Sequence, residues 1–254
     1  MFLPLEYIKY RWNAKGRHGI HSPFVYDFTD NCLRIQLSKA DKDELSKRFR
    51  ALARDQREIE IQDFGAGSKK LGNTRKISLI FRMSSSRGKY GELLYRLSKH
   101  YAPDSILELG TSLGIGSTYL NLGNTESILT TVEACKNTRS IAQESLSKKK
   151  NIESVLSTFS DFIAHLPKEK QFDLIFIDGH HDGAALLEYL DQLQAHAHDE
   201  TLFILDDIRW SNSMVSAWEK IVADSRFHLS MDLFRVGIVA RRSHQQKEHF
   251  VIRY

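Results

Sequence analysis

From Ser105 onward the chain alternates short apolar runs with stretches whose apolar positions recur at helical spacing. Runs at 105–109, 128–132, 152–156, 172–177, 201–205, 227–234 and 236–241 predict strands. Each of the first five is followed by a helical or loop-helix segment, and such alternation predicts a parallel sheet covered on both faces. The last two runs are joined so tightly that they must pair antiparallel, as a hairpin. Upstream, residues 1 to about 57 read as helical. Ser22-Pro23 is an N-cap and first-turn pair for a helix through Phe24, Val25, Phe28 and Leu33. Ala40 to Arg57 places Leu45, Phe49, Leu52 and Ala53 at helical spacing. Lys15 to His21 between them reads as a flexible basic loop, and Ser84 to Lys89 as a polar one. Tyr90 to Tyr101 predicts a helix that packs Leu93, Leu94 and Leu97.

The chemistry begins where the first strand ends. Ile106-Leu107-Glu108-Leu109 runs into a loop with Gly110, Gly114 and Gly116, and a helix-compatible segment follows. Strand, glycine turn and helix make room for a nucleotide-like ligand in an open α/β sheet. The spacing is G-x-x-x-G-x-G, not the G-x-G-x-x-G of dinucleotide sites. The next strand ends in Glu133, 25 residues after Glu108, where an acid can accept hydrogen bonds from two ribose hydroxyls. A surface glutamate at a strand end is the plain alternative.

This stretch resembles motif I of the class I S-adenosylmethionine-dependent methyltransferases. The resemblance implies a Rossmann-like fold with a mostly parallel seven-stranded sheet and a C-terminal antiparallel hairpin, here with a helical N-terminal extension. It implies S-adenosylmethionine as cofactor, held by Glu108, Gly110, Gly114, Gly116 and Glu133. Asp161, in Phe159-Ser160-Asp161, sits where an acid often meets the adenine amino group; a helix N-terminal Asp is the other reading. The expected division is an extension or lid over 1–85 and a cofactor-binding domain over 86–254. Asp63-Phe64-Gly65-Ala66-Gly67 also looks like a cofactor loop, but Lys69-Lys70-Leu71-Gly72-Asn73 follows it instead of an apolar helix, so it reads as a turn.

A second constellation lies farther on. Asp178 ends one buried strand and Asp206-Asp207 another, so all three acids belong at the carboxyl edge of the sheet. Converging carboxylates repel unless a cation or a proton relieves them. Hard oxygen ligands suit Mg²⁺, Ca²⁺ or Mn²⁺. The layout resembles the metal-dependent O-methyltransferases of the catechol type and bacterial enzymes that methylate sugars and natural products. It implies Asp178, Asp206 and Asp207 as metal ligands and His181 as the base, with Asp178 beside it in catalysis. Lys89-Tyr90-Gly91-Glu92-Leu93-Leu94 is similar to the segment that helps hold the cofactor's methionine carboxylate, which adds Gly91. Two positions depart from that family: Asp207 stands for its Asn and His181 for its Lys. Asp178-Gly179 as a turn, and Asp206 or Asp207 as an N-cap, are the alternatives. His196 and His198 read as solvated at a helix end. Trp210 and Trp218 read as core residues, with pocket lining as the alternative.

Bulk properties narrow the rest. A chain of 254 residues can bury a full core. No apolar run is long enough to span a bilayer, and the start is too quickly charged for a secretory signal. Cys32 and Cys135 are too few for a disulfide framework or zinc cluster, so a cytoplasmic location is the default expectation. Residues 1–100 hold 21 Lys and Arg against 11 Asp and Glu; the remainder holds 15 against 21. A basic front half can attract RNA or an anionic substrate, but no RNA-binding motif accompanies it. The expected activity is therefore methyl transfer to a small-molecule hydroxyl with metal assistance. A metal-independent methyltransferase acting on nitrogen or another small acceptor is the runner-up, and an RNA- or partner-binding module with a degenerate cofactor site the third reading. A homodimer is the default assembly.

Overall fold

A computed structural model describes residues 2–16, 21–62, 73–83 and 87–254. The N-terminal region contains α1 (Phe2–Asn13), α2 (Pro23–Asp30), α3 (Lys39–Arg54), β1 (Glu58–Ile61), β2 (Asn73–Lys76), α4 (Ile77–Met83) and α5 (Lys89–Tyr101). The alternating part follows as β3 (Ser105–Leu109), α6 (Ile115–Gly123), β4 (Ile128–Glu133), α7 (Lys136–Leu146), β5 (Ile152–Leu156), α8 (Phe159–Ala164), β6 (Phe172–Ile177), α9 (Gly183–Gln192) and β7 (Ala197–Leu205). The chain ends with α10 (Asn212–Ala223), β8 (Leu229–Asp232), β9 (Gly237–Ala240) and β10 (Glu248–Val251).

The large sheet has eight strands in the order β10-β8-β9-β7-β6-β3-β4-β5. β5, β4, β3, β6 and β7 run parallel, while β9 pairs antiparallel with both β7 and β8. The expected hairpin is thus present. One strand was not expected: Glu248–Val251 adds to β8 in parallel. Its four residues are only partly buried or exposed, so no apolar alternation marks them. β1 and β2 form a separate antiparallel pair where only a turn was foreseen. The glycine-rich segment Asp63 to Gly67, His18 and the start of the 84–89 loop lie outside the described residues.

The core follows from period-two alternation. Along β3, β6 and β7, Ile106, Leu174, Phe176, Leu202 and Ile204 enter one apolar cluster. Their neighbours Leu107, Ile175, Ile177, Phe203 and Leu205 enter the other, on the opposite face. Val25, Phe28, Leu45 and Leu52 of the extension join the first cluster, so the extension shares the core of the sheet. The chain ends are tied together as well. Lys15 donates its backbone N–H to Val251 and accepts from Arg253, at 2.8 and 3.1 Å. Ser22 caps α2 in position, with Pro23 in its first turn but no side-chain bond, and the helix stops at Asp30, short of Leu33.

Candidate functional site

Chain order reverses at β3. The chain moves outward through β4 and β5 and then returns to lay β6 on the other side of β3. A crevice forms at such a switch, beyond the carboxyl ends of the strands. The Asp178 N–H donates to the Leu109 carbonyl at 2.9 Å there. Gly110 sits at φ +111°, and a Cβ on it would lie 1.9 Å from the Asp178 carbonyl oxygen. Only glycine fits this crossing.

A cleft of about 230 Å³ opens at this point, with Gly110, Ser112, Glu133, Cys135, Phe159, Asp178 and His180 in its wall. Glu133 holds the loop from the side: one oxygen accepts from Ser112 N–H at 2.8 Å and the other from Cys135 N–H at 2.9 Å. Burial raises its pKa despite those bonds. Of the other expected cofactor residues, Glu108 lies beneath the loop. It is fully buried, and its Oε2 accepts from Thr131 Oγ1 at 2.6 Å and from Ser117 Oγ. Burial pushes its pKa up to about 7. A Cβ on Gly116 would meet Glu108 Oε1 at 2.3 Å, so this glycine admits the carboxyl. Gly114, at φ +75°, lets Leu146 and Ala142 pack under the turn. Asp161 is in the first turn of α8, where Thr158 Oγ1 donates to it at 2.7 Å. Gly91 is buried within α5. None of these five residues is in the cleft wall.

Some site elements carried no local signal. Arg48 on α3 donates to the carbonyls of Ile141 (2.9 Å) and Leu113 (3.4 Å), and so braces the glycine loop from the extension. β1 brings Ile61 and Gln62 to the cleft, and Gln62 N–H faces Cys135 Sγ at 3.5 Å. Residues 17–20 of the basic loop before α2 lie outside the described residues.

Beside the cleft stand the loops after β6, β7 and β8. His181 Nδ1 lies 3.6 Å from Asp207 Oδ2, ion-pair range but too long for a hydrogen bond. The His181 ring faces that of Trp210 at 5.3 Å. Trp210 is 64% exposed, which corrects its reading as a core residue; Trp218 is buried and points Nε1 at Asp232 (3.3 Å), as a core residue should. Of the two histidines expected to be solvated, His196 is not, while His198 is partly exposed. His196 is buried with Nδ1 on the Lys170 carbonyl, and His198 Nε2 meets Asp173 Oδ1 at 2.9 Å. His180, His181, Asp207 and, on the cofactor side, Ser112 all have positive φ without being glycine. Such strain collects where surrounding structure fixes a functional geometry.

Asp206 and Asp207, as they stand, do not fit a divalent cation. Arg235 takes their place-holder role: its Nε lies 2.8 Å from Asp207 Oδ1 and 3.2 Å from Asp206 Oδ1, and its Nη2 lies 3.1 Å from Asp206 Oδ2. Among the described residues, the one trio of potential ligands with atoms within 4.8 Å of one another is Asp199, Glu200 and His244, at the opposite end of β7.

Comparison with known proteins agrees with this geometry. Residues 107–208 match a family described as "Methyltransferase domain". Over those residues, about two fifths of the chain, this protein is similar to a methyltransferase domain. The fold is shared with an O-methyltransferase from Bacillus cereus in complex with SAH (18% identity, 85% of this chain and 94% of that one, TM-score 0.55). An SAH-bound methyltransferase from Podospora anserina is similar over 87% of this chain and 96% of its own (13% identity, TM-score 0.59). TomG, an O-methyltransferase of Streptomyces achromogenes solved with SAM, is similar over 62% and 81% (16% identity, TM-score 0.52). No curated protein matches the sequence. Among the described residues no helix is long and apolar enough to cross a membrane.

Proposed function

We propose that this methyltransferase transfers a methyl group from S-adenosylmethionine to a hydroxyl of a small acceptor. One observation carries the reading: the glycine-loop cleft with Glu133 and the His181–Asp207 pair stand at the same edge of one sheet, joined by the segment Asp178 to His181. The residues present fit the cofactor. Gly110 lets the loop cross the Asp178 backbone in the crevice wall, where a Cβ would clash, and Glu133 offers a carboxylate in the same wall. When bound, the cofactor supplies an electrophilic methyl on a sulfonium, so the protein's task is alignment and preparation of the acceptor. Gly110, Ser112 and Glu133 would hold the nucleoside. His181 takes the acceptor's proton. Asp207 stabilises the resulting imidazolium, and the Trp210 ring fixes the imidazole plane. No step is assigned to a metal. The two unpaired cysteines, both buried, favour a cytoplasmic setting.

Calorimetry with S-adenosylmethionine and S-adenosylhomocysteine is the first test. Folded protein that binds neither at millimolar concentration ends the reading. His181→Ala is expected to lower kcat by about 10²–10⁴ while cofactor affinity stays unchanged. An unaltered kcat would remove His181 from its role.

A further inference from the structure

We propose that Arg235 is a built-in cation for the acceptor pocket and closes it to divalent metals. All four carboxylate oxygens of the adjacent acids are engaged by the protein itself. Asp206 Oδ1 faces Arg235 Nε and also accepts Asp207 N–H at 2.9 Å; Asp206 Oδ2 faces Nη2. Asp207 Oδ1 faces Nε, and Asp207 Oδ2 faces His181. A hard cation needs several such oxygens at once, at about 2.0–2.6 Å, and would have to expel the guanidinium to reach them. The guanidinium is firmly placed. Ile208 N–H donates to the Arg235 carbonyl at 3.0 Å, and the Tyr90 ring lies 5.4 Å from the guanidinium carbon. Both acids are buried, at 5% and 8% exposure, so a replacement charge from solvent is not at hand. Burial works against the charge of Arg235, but Asp206, Asp207 and Asp178 outweigh it and raise its pKa.

The charge is also suited to the acceptor. Nη1 makes no hydrogen bond among the described residues, and it keeps two N–H groups for an oxygen developing negative charge. Arginine is a better stand-in than lysine because its planar fork engages two carboxylates and still leaves a donor. The exclusion of metal is independent of the methyl-transfer reading; the service to an acceptor oxygen rests on it.

The test is a Mn²⁺ titration followed by electron paramagnetic resonance, with S-adenosylhomocysteine binding measured on the same samples. Wild type is expected to show no site tighter than about 1 mM, and its methyl transfer to be unchanged in EDTA. Arg235→Gln is expected to gain a Mn²⁺ site at least about tenfold tighter, which a second change, Asp206→Asn, removes. Arg235→Lys keeps the charge and is expected to stay metal-free. A Mn²⁺ site in wild type that Asp206→Asn weakens overturns the proposal, even if Arg235→Gln does not fold. So does a folded Arg235→Gln protein without a site. Loss of cofactor binding alone would instead strike the methyltransferase reading and leave the metal titration to decide this one.

Discussion

The two sides of the sheet edge solve the same problem in different ways. Both bury carboxylates. On the cofactor side, among the described residues, Glu108 and Glu133 form no ion pair with an arginine or lysine and meet only neutral donors: hydroxyls of Thr131 and Ser117 on one Glu108 oxygen, whose partner Oε1 is left without a hydrogen bond, and backbone N–H groups of Ser112 and Cys135 on Glu133. On the acceptor side the acids are paired with guanidinium groups, Asp206 and Asp207 with Arg235, and Asp232 with Arg209 through two bonds of 2.8 and 2.6 Å. Neutral donors leave the carboxyl's desolvation uncompensated, so its pKa rises. Full charges offset it in part, since burial and the neighbouring Asp206 still raise the Asp207 pKa against Arg235 and His181, and they must be brought together by the fold. Both sides therefore respond to pH; the cofactor side is the more sensitive to shape, and the acceptor side to removal of a partner.

The sharpest way to break this contrast is Gly110→Ala. The added Cβ overlaps the Asp178 carbonyl, and the backbone is held at φ +111°. Strain and overpacking together predict a loss of about 3–6 kcal/mol in urea unfolding. A loss below 1 kcal/mol would mean that β3 and β6 part easily. Next comes Asp232→Ala, which strands a mostly buried Arg209; about 3–5 kcal/mol is expected from the same measurement. If Asp232→Ala behaves like a surface change, charge pairing is not what stabilises the acceptor side.

Glu108→Gln sharpens the comparison through pH. Unfolded Glu108 ionises near 4.5, whereas the folded carboxyl keeps its proton until about 7. Between those values the folded state binds more protons, so stability falls as pH rises through the window. The contribution is on the order of 3 kcal/mol, with Glu133 acting in the same direction. The variant is expected to flatten the decline between pH 4.5 and 7 in thermal melts. Parallel curves for variant and wild type would rule out Glu108 as its source. The smallest effect is expected from Trp210→Ala: stability within about 0.5 kcal/mol, because the ring is exposed. Acceptor KM should rise while cofactor affinity holds; an unchanged KM would place the ring outside the acceptor site.

Legibility in the sequence followed the range of each interaction. β3, β5 and β6 occur at the expected bounds because a strand writes its run into five or six consecutive residues, buried in β3 and β6 and partly exposed in the edge strand β5. The glycine loop was equally local. Arg235, by contrast, meets Asp206 across 29 positions and Arg48 meets Leu113 across 65, and no periodicity marks either. Trp210 was misjudged for a related reason. An indole is apolar by composition, but its exposure depends on which loop carries it, and only the packing of α10 and β8 separates it from Trp218. The metal expectation meets the same limit: three acids at strand ends signal a need for positive charge, not its source.

By itself, the sequence determined the alternating fold and the glycine turn beyond β3, since each depends on residues within one strand-turn-helix unit. The tertiary structure alone decided that Glu108 lies under the crevice and not in its wall, that the extension reaches the cleft through β1, and that a guanidinium stands among the acids. Those outcomes depend on which distant side chains share a low-dielectric interior, where one charge changes the state of every neighbour.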